Sequence, residues 1–172
     1  MIEIKVQSLG LDQVSKSPVV ILQEVAGTRV LPIWIGPAEA SAIAMQLAGM
    51  TFARPLTHDL AASLLKGLGG ELKRVLITRV QNNTYYAEMV IQRADEMFSI
   101  DARPSDAIAI ALRTDSKLFT TDDLLAAGGV EIEDADAVDG VQAHEGTRGM
   151  SAEELREYLK KMDPEDLGRF HP

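Results

Sequence analysis

A chain of 172 residues, 46% of them hydrophobic, suits one core of ordinary domain size with an extension. The absence of cysteine excludes disulfides, thiolate zinc sites and a cysteine nucleophile, so any metal ion would need oxygen or imidazole ligands. No apolar run approaches the roughly 18 residues of a membrane span. Met1-Ile2-Glu3-Ile4-Lys5 also lacks the basic and apolar regions of a signal peptide, so a soluble, cytoplasmic protein is expected.

The net charge of −9 is unfavourable for a polyanionic partner, because nucleic-acid affinity comes largely from Lys and Arg neutralising phosphates. Its distribution changes that reading. Residues 1–120 carry 12 Lys+Arg and 12 Asp+Glu, whereas residues 121–172 carry five against fourteen, which accounts for the whole excess. The core is electrically neutral and compatible with a local basic groove, although no basic stripe announces one.

In chain order, apolar and polar residues alternate from Ile2 to Val6, and Val19 to Leu22 and Val30 to Ile35 follow after turn-like gaps, which reads as a β-meander. Trp34 lies in this apolar run and is expected in the core. Gly36-Pro37 then opens a short helix over Ala38 to Leu47. Thr57 is a candidate N-cap for a second helix, with Leu60, Ala61, Leu64, Leu65 and Leu68 on one face and Gly67, Gly69 and Gly70 at its end. Leu72 to Val80 and Tyr85 to Ile91 flank Gln81-Asn82-Asn83-Thr84, a tight turn in which asparagine tolerates positive φ, and Met97 to Ile100 completes a second meander. Pro104 opens a third helix, apolar on most sides and therefore expected to be buried. Leu118 to Thr120 reads as a short strand and Asp122 to Ala127 as one more helical turn. Met45, Met50, Met89 and Met97 are expected as core filler.

Beyond Val130 acidic residues alternate with small ones, and the stretch from Asp134 to about Met150 reads as a flexible acidic linker. Ser151-Ala152-Glu153-Glu154 resembles a capping box at the start of a C-terminal helix that Asp163-Pro164 stops, so residues 151–172 form a helical tail. The expected fold class is α+β: two β-meanders with short helices packed on mixed or antiparallel sheets, with a C-terminal helix. Ala53-Arg54-Pro55 and Ala102-Arg103-Pro104 each lie between a meander and a helix, an order consistent with an internal duplication.

Arg54-Pro55-Leu56-Thr57-His58-Asp59 and Ile100-Asp101-Ala102-Arg103-Pro104-Ser105-Asp106-Ala107-Ile108-Ala109 resemble the two signature segments of the bifunctional nuclease family, formerly a domain of unknown function. Ile33-Trp34-Ile35-Gly36-Pro37-Ala38-Glu39-Ala40 is similar to its third, and the three stand in the family's order within residues 1–133. The resemblance implies a compact α+β domain, often dimeric, that cleaves both DNA and RNA. It leaves the catalytic residues unassigned.

Phosphodiester hydrolysis needs a group that activates water and groups that neutralise the charge of the pentavalent state. His58, Asp59, Asp101 and Asp106, with Arg54 and Arg103, supply those types: His58 as general base, and Asp59, Asp101 and Asp106, with Glu39 as a further ligand, for Mg²⁺ or Mn²⁺. An architectural role accounts for the same residues. Asp59 and Asp106 stand in first helical turns, where a carboxylate stabilises the positive helix end by about 0.3–1 kcal/mol, and the two arginines can pair with them. His144 and His171 lie in the tail, where a solvated role is expected. Two functions therefore compete: a homodimeric nuclease acting on DNA and RNA, and a non-catalytic module whose acidic tail docks a protein partner or covers the core.

Overall fold

A computed structural model of the chain describes residues 1–12, 15–128, 130–131 and 147–148. Three strands come first: β1 (Ile2–Asp12), β2 (Pro18–Glu24) and β3 (Arg29–Trp34). Two helices follow, α1 (Pro37–Leu47) and α2 (Thr57–Gly67), and then β4 (Gly70–Gln81), β5 (Thr84–Arg93) and β6 (Glu96–Ala102). The described core closes with α3 (Pro104–Thr114), β7 (Lys117–Thr120), α4 (Asp122–Gly128) and β8 (Val130–Glu131). The α+β expectation holds, and both meanders form in the expected order. They belong to one sheet, in the order β6-β5-β4-β7-β1-β2-β3-β8. The bridge between them is β7, parallel to β4 and antiparallel to β1.

Strand alternation explains which face is covered. In the β2–β3 ladder Val20 stands opposite Ile33 and Leu22 opposite Leu31, and these four join Val75, Ile77, Ala87 and Met89 in the main core. Ile43 and Ala44 of α1, Ala107 to Ala109 of α3, and Leu124 and Leu125 of α4 pack into the same cluster, so the helices share one face of the sheet. Full burial of side chains such as Leu22, Leu31, Ile43, Ile77 and Ile108 contributes about 1.5–3 kcal/mol each. Val19, Ile21 and Val30, one residue out of phase, form a small second cluster on the other face. Pro32 is tolerated because β8 pairs only with Arg29 and Val30, leaving the rest of β3 as an edge.

The same period of two corrects the expectation for Trp34. Ile33 takes the core-facing position, so Trp34 turns to the other face, 46% exposed, where its indole N–H donates to Asp12 Oδ2 at 3.0 Å. Met45 and Met89 are buried as expected, whereas Met50, in the segment after α1, and Met97, on the outermost strand, are exposed because nothing in the described core covers them. Thr57 is the first residue of α2 rather than its cap; Leu56 caps, and its N–H donates to Asp59 Oδ2 at 2.8 Å. Asn82 and Asn83 adopt φ of 51° and 58°, the positive-φ turn expected between β4 and β5.

Within the expected linker, β9 (Thr147–Arg148) pairs with Leu11 and Asp12 of β1. The rest of that segment and the C-terminal helix lie outside the described residues. Among the described residues no helix is long and apolar enough to cross a membrane, which says nothing of β-barrels.

Candidate active site

The two Arg-Pro segments meet because α2 packs across α3. His58, in the first turn of α2, places Nε2 3.0 Å from Asp106 Oδ1 in the first turn of α3. The other oxygen, Asp106 Oδ2, accepts from Arg103 Nε at 2.8 Å. The same guanidinium reaches Glu39 Oε1 in the first turn of α1 through NH1 at 2.9 Å. Three first turns thus converge on a chain of four side chains, Glu39–Arg103–Asp106–His58. Gly36 makes room at its far end, since a Cβ there would collide with the Glu39 carboxylate.

Burial alone would raise the Asp106 carboxyl, but hydrogen bonds from His58 and Arg103 outweigh it and hold the group below the usual carboxylate range. An ionised Asp106 accepts only, so His58 carries its proton on Nε2 when neutral and presents the Nδ1 lone pair. The Asp106 hydrogen bond and charge push the Arg103 guanidinium further above its ordinary value. Its side chain is 68% exposed, so it keeps donors facing solvent.

Asp59 pairs with a cation outside both Arg-Pro segments. Its Oδ1 accepts from Arg113 Nε at 2.5 Å, while Arg113 NH1 donates to the Ala109 carbonyl at 2.9 Å and NH2 to the Ala42 carbonyl at 3.2 Å. The Arg113 side chain is only 6% exposed. This one guanidinium ties α1, α2 and α3 together directly behind His58. Burial would raise Asp59, but Arg113 and the Leu56 N–H hold it low. Arg113 escaped the sequence reading because a basic residue in a last helical turn is accounted for by the helix dipole alone; nothing local links it to Asp59.

Two expected residues stand apart. Asp101 pairs with Glu88 in the β5–β6 ladder, and because Ala87 and Met89 face the helices, Asp101 points to the opposite face of the sheet. Arg54 is exposed in the segment between α1 and α2. The expected ligand set does not converge: among the described residues no three of His, Asp and Glu are placed to hold a metal ion. Asp59, Asp106 and Glu39 already hold guanidinium, imidazole or amide partners, an arrangement that does not fit a divalent site as it stands. A groove of about 900 Å³ runs beside α2, floored by Asp59, Leu65 and Arg113, with Lys66, Lys73 and Lys117 among its rim residues.

The chain has relatives in bacteria and plants. It is 38% identical over 165 residues to the uncharacterized protein Rv1829 of Mycobacterium tuberculosis, covering 96% of this chain and 97% of that one. It is 29% identical over 100 residues to Bifunctional nuclease 1 of Arabidopsis thaliana, covering 56% of this chain and 31% of the plant protein. Against Bifunctional nuclease 2 of Oryza sativa subsp. japonica it is 26% identical over 111 residues, 62% and 34% of the two chains. The family profile described as Bifunctional nuclease domain matches residues 20–133, a stretch that holds all three first turns and every member of the side-chain cluster, and the chain belongs to the bifunctional nuclease domain family.

Proposed function

We propose that this protein is a nuclease that hydrolyses phosphodiester bonds in DNA and RNA at the His58–Asp106–Arg103 cluster. The observation that carries the reading is the 3.0 Å contact between His58 and Asp106, which joins the two Arg-Pro segments into an oriented imidazole beside an exposed guanidinium. In this mechanism His58 Nδ1 takes a proton from the attacking water, and Asp106 fixes the tautomer and stabilises the imidazolium that forms. Arg103 neutralises charge developing on the non-bridging oxygens as the P–O bond to the leaving oxygen breaks. Lys66, on the rim of the groove, offers a contact for a flanking phosphate. A divalent ion would have to displace Arg103 from Asp106 and Glu39 to gain ligands, so metal dependence is a variable of the test.

The test is cleavage of labelled single-stranded DNA and RNA with Mg²⁺, Mn²⁺ or EDTA by identically purified wild type, Asp106→Asn and Asp101→Asn. General-base catalysis of this kind is worth about 10²–10⁴-fold. Asp106→Asn is expected to lose cleavage on that scale while Asp101→Asn, on the other face of the sheet, keeps it. Equal cleavage by wild type and Asp106→Asn overturns the assignment. The charge partition supports a second reading, in which the acidic segment after residue 120 docks a protein partner or shields the core; absence of cleavage in all three proteins favours it.

A further inference from the structure

Arg103 is one guanidinium shared by two carboxylates from different helices. Its Nε donates to Asp106 Oδ2 at 2.8 Å and its NH1 to Glu39 Oε1 at 2.9 Å. An arginine beside a single carboxylate favours a fork onto both of its oxygens, the strongest pairing open to it. That fork is not closed here, because Asp106 Oδ1 is held by His58 Nε2 at 3.0 Å. Arg103 and His58 are therefore rivals for the same oxygen, and something must keep the guanidinium on its own side. Glu39 is placed to do so. It draws NH1 toward the first turn of α1, its side chain is only 17% exposed, and its second oxygen occupies the space that Gly36 leaves by lacking a Cβ. That seat fixes the Glu39 carboxylate, whereas Arg103, 68% exposed, is held by its ion pairs more than by packing.

We propose that Glu39 is a positioning residue: it holds Arg103 to one oxygen of Asp106, which keeps the other oxygen for His58 and aims the remaining guanidinium donors at a phosphodiester. A guanidinium has five N–H donors. Two are committed to the carboxylates, and three are left for the non-bridging oxygens of the substrate. Without Glu39, Arg103 swings in to fork Asp106 and His58 loses its acceptor. The imidazole proton is then no longer confined to Nε2 and populates Nδ1, the atom that must stay bare to take a proton from water. One carboxylate on α1 thus governs both the base and the cation while touching neither water nor phosphate. The catalytic half of this inference rests on the nuclease reading; the hold on Asp106 does not. A carboxylate in a first turn also stabilises its own helix, but that role alone costs stability and moves no proton.

The test reads the tautomer of His58 by NMR of its ring nitrogens in isotopically labelled full-length protein, under alkaline conditions that leave imidazole neutral. The His58 signals are identified by their loss in His58→Gln. Wild type is expected wholly Nε2-protonated and Glu39→Ala a mixture of tautomers. Glu39→Gln, which keeps an acceptor oxygen, should stay close to wild type. Glu39→Ala, Arg103→Ala should return to the Nε2 form, because the rival is gone. Cleavage of labelled single-stranded DNA is followed in parallel, beside Asp106→Asn. Glu39→Ala should lose about 10–10²-fold in kcat, up to the scale of a misplacement of about 1 Å, with KM little changed. Glu39→Gln should recover most of that loss and the double variant none. A His58 that stays wholly Nε2-protonated in Glu39→Ala overturns the proposal, as does a mixture that persists once Arg103 is also removed. Wild-type kcat in Glu39→Ala beside an inactive Asp106→Asn overturns it as well. Equal cleavage by wild type and Asp106→Asn strikes the nuclease reading instead, and the tautomer then decides the hold on Asp106 alone.

Discussion

Replacing Arg113 by methionine keeps the apolar stem but removes a guanidinium that makes three hydrogen bonds to three different helices. A hydrogen bond to a charged group is worth about 1.5–3 kcal/mol, and breaking a fully buried ion pair from one side costs about 3–5 kcal/mol. Asp59 is 32% exposed, so water rehydrates it once Arg113 is gone, and the expected loss falls to about 2–3 kcal/mol. For a chain of this size that corresponds to a fall in Tm of roughly 5–10 °C. Arg113→Lys should recover only part, because one ammonium cannot reach three acceptors in a fixed plane. The assay is thermal and urea unfolding of wild type, Arg113→Met, Asp59→Asn and the double variant, read as a double-mutant cycle. A coupling of about 1–2 kcal/mol is expected. If Arg113→Met unfolds within about 0.5 kcal/mol of wild type, or the coupling is zero, the guanidinium does not clamp the helices and His58 must be positioned by Asp106 alone.

Acid should act on the same contacts. Asp59 and Asp106 are both held below their ordinary value of 3.8 in the folded protein. Their contribution is therefore fully present above that value and is lost as pH falls through the lower folded values. Stability measured by urea titration from pH 5 downward should fall, and Asp59→Asn should flatten that fall. Gly36→Ala should push the Glu39 carboxylate off Arg103, costing about 0.2–1 kcal/mol for a pair whose arginine is exposed. Adding Glu39→Ala in that background should cost nothing further, and full additivity of the two changes would mean the alanine leaves the pair intact.

Most of the fold is legible because it rests on local rules. Period-two runs mark the strands, Asn82-Asn83 can supply the positive-φ turn, and the apolar breadth of Ala107 to Ala111 announces a buried helix. What local rules do not carry is which side of an element meets which neighbour. Trp34 and Ile33 look equally suited to the core, and only the ladder with β2 decides between them. Asp101 and Asp106 lie five positions apart, yet one is on a strand facing away from the helices and the other in a helical turn facing His58. The cation beside Asp59, Arg113, lies 54 residues later and is brought there only by the fold. The Glu39–Arg103 contact likewise depends on α1 and α3 packing side by side, which no single segment encodes.

The position of β7 bears on how the molecule comes together. Four residues near the end of the core insert between the two meanders, one flank against Ile2–Ile4 and the other against Arg74–Ile77. A chain arrested before Lys117 holds two half-sheets, each with an uncapped apolar border and no ladder to the other. Closing them requires the N-terminal strand to meet a segment from the far end of the core, a contact of high sequence separation that slows folding and prolongs exposure of sticky edges. Once β7 is seated the halves share one ladder. They should then unfold in a single transition, with the first meander unable to persist when the second is lost.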